Sequence, residues 1–454
     1  MARYAVLLAA GRGERLWPLT STRPKPLLPL PGGDTLLTRL MRQLAGLVDG
    51  YVVVAPPGPL GEMIASAVEG SGLEARIAVQ EEQLGTGHAA LVGLEALPRG
   101  VDEVLLAYGD LFTERGLLRF LVEAGPPALA AVEHREPWNY GVVEARDGCL
   151  AAIREKPLDA KPGALVNAGI YLLPRGGLEE ELRRLRPSPR GELELTDAVT
   201  ALASRTCVKI VDGDWFWTDV GRPWDLFPVY RRVLEEKARG RRLALEPGAE
   251  IHPQAVIRGG PVYVADGARI DAYTVVEGPA WVEGVAGPHA RLRPGSFLLR
   301  GSRAGAHTEL KNAILMADAK APHLNYVGDS VLGVGVNLGA GTVTANLRFD
   351  HATVKVRLKG RLVDTGLRKL GAVMGDYSQT GVNVSTLPGV RIGAYSWIYP
   401  GTVVARDVPD CVMARPAPGG LEYVDIGGRV DCPDWLRGKE KREEGGGDGG
   451  RLAS

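Results

Sequence analysis

The 454-residue sequence holds only four cysteines, Cys149, Cys207, Cys411 and Cys432. They lie far apart with no C-x-x-C pair, a spacing that fits neither a disulfide scaffold nor a zinc site and makes a reducing cytoplasm the expected compartment. Long apolar runs are missing as well: none approaches the ~18 residues of a membrane span. The short run Val6 to Ala10 is broken at once by Gly-Arg-Gly-Glu-Arg, so neither a membrane helix nor a signal peptide is expected. Neither sign of charge is in excess, since 54 Lys+Arg balance 54 Asp+Glu. A net charge of zero exerts no global pull toward nucleic acid or an anionic membrane, so neither is an expected partner, and any basic site must be local.

Glycine, in contrast, is abundant, with 60 residues alongside 32 prolines. That is about 13% against a usual ~7%, and it calls for many turns. The length suggests about three domains or two large ones. A hydrophobic content of 45% with 24% charged residues is ordinary for globular chains and excludes wholesale disorder.

Through about residue 229 the chain alternates strand and helix patterns. Tyr4 to Ala9 is a continuous apolar run ending in a glycine turn, as in a parallel strand buried on both faces. Further strand candidates are Gly50 to Ala55, Ala75 to Gln80, Val104 to Ala107, Ala128 to Val132, Asn167 to Leu172 and Cys207 to Val211. Helix-length segments such as Thr35 to Leu47 and Gly87 to Ala96 lie between several of them. This alternation predicts an α/β, Rossmann-like domain whose ligand site lies at the carboxyl ends of the strands. Residues 230–246 read as a charged linker helix.

From about residue 248 the period changes to six: Ile251, Ile257, Tyr263; Val276, Val282; Leu292, Leu298, Ala304, Leu310; Leu332, Leu338, Thr344; Ile392, Ile398, Val404. One apolar residue and one turn per six residues predicts a left-handed parallel β-helix of hexapeptide repeats. A β-sandwich would space its strands by 8 to 12 residues instead. Residues 351–372 break the period with strand alternation and read as a hairpin excursion. The domains expected are thus 1–229, a linker helix at 230–246, a β-helix at 247–425 and a tail at 426–454, disordered after about residue 437 where it is charged and glycine-rich.

Chemistry-bearing strings sit on both domains. The first is Leu8-Ala-Ala-Gly-Arg-Gly-Glu-Arg-Leu-Trp-Pro-Leu-Thr, followed by Arg-Pro-Lys25-Pro-Leu. Glycines admit backbone N–H groups close to a phosphate, and fixed cations neutralise a triphosphate and its leaving pyrophosphate. A dinucleotide-binding G-x-G-x-x-G would need glycine at position 16, where Leu16 stands. Further along come Gln80-Glu-Glu-Gln-Leu-Gly-Thr-Gly-His88, Tyr108-Gly-Asp110 at a strand end, Gly141, Glu155-Lys156-Pro157, Asn167 and Trp217-Thr-Asp219. On the β-helix lie Arg291-Leu-Arg293, Glu309-Leu-Lys311-Asn, Pro322-His323-Leu-Asn-Tyr326-Val-Gly-Asp, Val336-Asn337 and Ala345-Asn346. His323 is one of only seven histidines, placed where a base could take a proton from an attacking amine.

Taken together and in this order, these strings resemble the bifunctional sugar-1-phosphate nucleotidylyltransferase/acetyltransferases of the N-acetylglucosamine-1-phosphate uridylyltransferase type. The resemblance implies a nucleotide site made by Leu8, Ala9, Ala10, Gly11, Arg12, Gly13, Gln80, Gly85 and Thr86, with Arg15 and Lys25 acting on the reacting phosphates. It implies Mg²⁺ on Asp110 and Asp219, and N-acetylated sugar on Gly109, Gly141, Glu155, Lys156 and Asn167. For the second activity it implies His323 as base, an acceptor site of Arg293, Lys311, Tyr326, Asn337 and Asn346, and acetyl-CoA near Ala340 and Gly381. Substrates would be UTP or dTTP, a sugar 1-phosphate and acetyl-CoA, and the β-helix would form a homotrimer. The chain departs from the bacterial pattern at Leu347, Val382, Pro400 and Asp219, and its 351–372 hairpin with Lys355 is similar to archaeal relatives, which adds Lys355 to the acceptor candidates. Two rivals share the domain pair: a nucleotidylyltransferase with the β-helix only as an oligomerisation platform, and a non-catalytic assembly subunit. His323 with Tyr326 and Lys311 speaks against the first, and Lys25 with Asp110 and Asp219 against the second.

Overall fold

The computed structural model describes residues 2–11, 13–426 and 428–437. The tail expected after residue 437 lies outside the described residues. The chain divides into two compact units. One comprises the described residues up to 11 with Arg23–Pro29 and Asp34–Gly221; the other comprises Gly13–Thr22, Leu30–Gly33 and the described residues from Arg222 on.

The first unit is a mixed sheet flanked by helices. Its strands are β1 (Ala2–Leu8), β2 (Gly50–Ala55), β3 (Arg76–Val79), β4 (Val101–Tyr108), the short β5 (Phe112–Thr113), β6 (Ala128–Glu133), β7 (Gly141–Arg146), β8 (Cys149–Glu155), β9 (Leu165–Pro174), β10 (Lys209–Val211) and the short β11 (Trp217–Thr218). Nine of them form one sheet in the order β3-β2-β1-β4-β9-β6-β10-β8-β7, and β5 pairs with β11 apart from it. The apolar run of β1 explains its central place: Ala5 and Leu7 enter the core on one face of the sheet, Val6 and Leu8 the core on the other. β9 runs antiparallel to β4 and β6, and β7 with β8 makes an antiparallel hairpin at the sheet edge.

The second unit is built on the left-handed parallel β-helix. Three sets of short strands stack coil on coil, with Val262 beside Ala280, Ile257 beside Val276 and Ile270 beside Ala286. The six-residue period is the packing rule: Val276, Val282, Leu292, Leu298, Ala304 and Leu310 are all fully buried. The coils are interrupted after Val343–Thr344 and resume at Val373–Met374. In the gap Lys355–Leu358 pairs antiparallel with Arg361–Asp364. The charged helix read at 230–246 runs over Leu226–Ala238, and Leu243–Leu245 already pairs with the first coil. No described helix is long and apolar enough to cross a membrane.

The cysteines require a correction. All four are paired, Cys149 with Cys207 and Cys411 with Cys432, at Cα separations of 5.2 and 6.1 Å. Distance along the chain hid this: β8 and β10 meet at Cys149 and Lys209, which brings Cys207, two residues before Lys209, against Cys149. Closing loops of 58 and 21 residues stabilises by about 4 and about 3 kcal/mol in the chain-entropy account. Cys149→Ser is therefore expected to lower the melting temperature of this unit by roughly 8–16 °C. An unchanged melting curve, or one unaffected by reductant in the parent chain, would contradict a structural role for this pair.

Candidate active sites

The end of β1 lies beside the end of β4, with Leu8 opposite Tyr108 and the Gly109 N–H donating to the Leu8 carbonyl at 2.8 Å. The two loops that follow are thereby brought side by side. Ala9 donates its N–H to Val54 and Gln80 donates its own to Ala55, which adds the ends of β2 and β3 to the same edge. Gln83 Nε2 donates to the Ala10 carbonyl at 2.8 Å. Gly11 is exposed, and Arg12 lies outside the described residues. Arg15 is exposed on the single 3₁₀ turn Glu14–Leu16, which Gly13 opens from the left-handed region.

Lys25 is buried and stands between two acids. Its Nζ pairs with Asp110 Oδ2 and donates to the Asp219 carbonyl at 2.6 Å. Asp219 follows β11, and its Oδ1 accepts from the Tyr140 hydroxyl at 3.2 Å. The next residue, Val220, is fully buried at φ +39°. Positive φ costs a β-branched side chain energy, which packing must hold in place. Asp110, through its carboxylate, and Asp219, through its main-chain carbonyl, thus meet at one ammonium group. Two carboxylates are too few for a closed metal cage, and among the described residues no group of three or more acids, histidines or cysteines could hold a metal. They suit Mg²⁺, which keeps few protein ligands and takes substrate phosphates for the rest.

A second cluster follows from the start of the helix Thr86–Glu95. Gly85 caps it at φ +115°, and a Cβ there would come within 2.6 Å of the Leu193 carbonyl, so only glycine fits. Gln80 Nε2 donates to the Gly85 carbonyl at 3.2 Å and lies as close to His88 Nδ1. Thr86 Oγ1 accepts from the Leu195 N–H and shares a hydrogen bond with Tyr108. Tyr108 also meets Tyr171, whose hydroxyl accepts from Asn167 Nδ2 at 2.6 Å. Burial pushes both phenols far up from their ordinary values, so both are donors at any working pH. Gly141 pairs in register with Glu155, and Lys156 donates its N–H to the Tyr140 carbonyl. Burial raises the Glu155 carboxyl, against the lowering pull of Arg190 at 3.7 Å.

On the β-helix, stacking makes the third cluster. Glu309 lies beside Tyr326 and Lys311 beside Gly328 on successive coils. Arg293 pairs with Glu309 at 2.9 Å. Asp329, nearly fully buried, gathers Lys311 Nζ at 2.7 Å, Asn312 Nδ2 at 3.0 Å and Asn346 Nδ2 at 2.5 Å. Asn346 also donates to the Tyr326 hydroxyl at 3.3 Å. Glycine at 328 leaves room for this, since a Cβ there would meet Asn346 and Tyr326 within 2.7 Å. Burial raises the Tyr326 phenol.

His323 is exposed at the end of its strand, and its turn is locked by its own N–H donating to Asn325 Oδ1 and by Asn325 Nδ2 donating to the Gly339 carbonyl. The corners above repeat the turn: Gly341 donates to the His323 carbonyl and Asn383 to the Ala340 carbonyl, which sets His323, Ala340 and the Gly381 corner in one column. Asn337 continues the Lys320 strand position toward Gln379. Lys355 opens the excursion hairpin opposite Asp364 and makes no hydrogen bond to the Asp329 cluster. Sequence reasoning did not single out Asp329, Glu309, Tyr140 or Tyr171. The first two stand within the quoted strings, as acids one or two places from a buried six-period position, which is the one signal that could have found them. Asp329→Ala leaves Lys311 partnerless in a site where only 21% of its side chain is exposed. The expected cost is about 3 kcal/mol in denaturant unfolding, partly recovered by adding Lys311→Met. Full stability of the single variant would show that the pair is not the anchor.

Comparison with known proteins extends this geometry. Residues 4–236 match the nucleotidyl transferase family model. A bifunctional sugar-1-phosphate nucleotidylyltransferase/acetyltransferase of Sulfurisphaera tokodaii is 38% identical over 89% of this chain and 98% of its own. Bifunctional GlmU proteins of Methanocaldococcus jannaschii and Nitratidesulfovibrio vulgaris are 37% and 32% identical over 89% and 90% of this chain, each covered over 95% of its own length. A nucleotide-type sheet edge, a polar cluster on a β-helix and likeness along both halves agree: the chain belongs to the family of bifunctional sugar-1-phosphate nucleotidylyltransferase/acetyltransferases.

Proposed function

We propose that the chain transfers acetyl from acetyl-CoA to glucosamine 1-phosphate and then transfers uridylyl from UTP to the N-acetylated product, releasing pyrophosphate. The observation that carries this reading is that two separate polar centres, Lys25 between Asp110 and Asp219 and Asp329 among Lys311, Asn312 and Asn346, occupy different units of one chain. We assign residues 1–229 to uridylyl transfer, 230–246 to a linker and 247–425 to acetyl transfer.

In the first reaction the amine attacks the thioester carbonyl, His323 takes the amine proton, and the CoA thiolate leaves. Arg293 and Lys311 bind the sugar phosphate; Tyr326, Asn337, Asn346 and Lys355 orient the ring; Ala340 and Gly381 line the acetyl-CoA path. In the second, a phosphate oxygen of the sugar attacks the α-phosphate in line with the leaving pyrophosphate, and no base is needed because the nucleophile is already an anion. Lys25 and Arg15 stabilise the spreading charge. Leu8 to Gly13 cradle the phosphates, while Gln80, Gly85 and Thr86 read the base. Asn167, Glu155, Lys156, Gly109 and Gly141 read the hydroxyls and the N-acetyl group, so a sugar lacking that group leaves buried polar atoms unpaired. Asp110 and Asp219 would hold Mg²⁺, which when bound neutralises phosphate charge.

A cytoplasmic location suits these substrates. A homotrimer is supported by exposed apolar side chains on the β-helix flank, Val382, Tyr399 and Val403. Asp110→Asn is expected to lower UDP-sugar formation by roughly two orders of magnitude or more while leaving thiol release from acetyl-CoA with glucosamine 1-phosphate unchanged. Undiminished UDP-sugar formation, or no thiol release from the parent chain with any amino sugar 1-phosphate, would overturn the corresponding half of the proposal.

A further inference from the structure

The unit that contains the β-helix also contains Gly13–Thr22, the segment carrying Arg15. This segment is held by the last coils at several points. Asp410 accepts from Trp17 Nε1 at 3.0 Å and from Ser21 Oγ at 3.0 Å, while the Ala394 N–H, donating at 2.6 Å, fixes the carboxylate to the coil. Asp376 accepts from Thr22 Oγ1 with one oxygen and from the Val334 N–H with the other at 2.8 Å. Arg391, forked onto Asp407 at 2.6 and 3.1 Å, lies 4.6 Å from the centre of the Trp17 ring. Trp435 Nε1 donates to the Ser21 carbonyl at 3.3 Å, and the excursion hairpin adds Lys359, 2.7 Å from Glu14.

Ordering so many groups against one short segment needs a reason that folding of the β-helix does not supply. The coils close without it, through their own six-residue core. A loop that must present backbone N–H groups and an arginine to phosphates has to be held in one geometry, because misplacement costs rate. We propose that Asp410, Asp376 and Arg391 are positioning residues for nucleotidyl transfer: the β-helix sets the conformation of the loop from Gly13 to Thr22 and through it the placement of Arg15. They touch no substrate. The inference rests on the uridylyl-transfer reading above and goes beyond it, since it makes one activity depend on residues of the part that carries the other.

The test uses the full chain. Asp410→Ala, Trp17→Phe and the double variant are assayed for uridylyl transfer and for acetyl transfer, with melting curves for each. Both single variants are expected to lose about tenfold or more in kcat for uridylyl transfer, with acetyl transfer and the KM for sugar 1-phosphate within twofold of the parent. The double variant should lose no more than the worse single one, because both remove the same contact. Asp410→Asn, which keeps one acceptor oxygen and turns the other into a donor, should restore only part of the rate lost in Asp410→Ala. Unchanged uridylyl transfer in both single variants, multiplying losses in the double variant, or equal loss of both activities with a collapsed melting transition in Trp17→Phe would each overturn the proposal. A parent chain without uridylyl transfer on any sugar 1-phosphate would instead refute the reading on which it rests.

Discussion

Leu8 lies beside Tyr108 and Glu309 lies beside Tyr326, and both candidate sites depend on parallel pairing of this kind. Parallel neighbours point the same way, so strands that end in register deliver their loops to one edge. In the first unit that edge collects Ala9, Gln80 and Gly109. In the β-helix the same geometry is repeated once per coil, and residues a coil apart become neighbours on one face. Neither site could be assembled from a chain whose coils or strands slipped by one residue, because a slip sends every side chain to the opposite face.

The acids and cations then follow a shared logic. Lys25 faces Asp110, and Lys311 faces Asp329. A largely buried ammonium is tolerated because a carboxylate and further hydrogen bonds surround it. Such a pair is a poor source of net stability but a good source of fixed orientation, and orientation is what phosphate recognition requires. The tyrosines contribute in a complementary way: Tyr108 and Tyr171 are buried deeply enough to remain neutral donors beside Asn167.

Much of this was legible in the sequence. The continuous apolar run of β1 marked a strand buried on both faces, and the six-residue period marked the coils, because each pattern answers directly to side-chain burial. The break at 351–372 was legible for the same reason. The β7–β8 hairpin was not, although it carries Gly141 and Glu155: at the sheet edge its outer residues, Glu144 to Arg146, are exposed and the apolar pattern is short. The disulfides were missed because pairing is a property of tertiary approach and not of spacing. Asp329 escaped notice since a single acid among turn residues reads as solvent-facing until the coil above places Asn346 and the coil below places Lys311 against it.

The central claim is that one chain holds two working centres whose reactions run in sequence. The most direct measurement gives the purified chain glucosamine 1-phosphate, acetyl-CoA, UTP and Mg²⁺ in one vessel and follows the products by mass spectrometry. Free CoA, pyrophosphate and UDP-N-acetylglucosamine are the expected products, with the N-acetylated sugar phosphate appearing first. Formation of a UDP-sugar from the unacetylated amine with no acetyl transfer, or no nucleotide sugar at all, would contradict it.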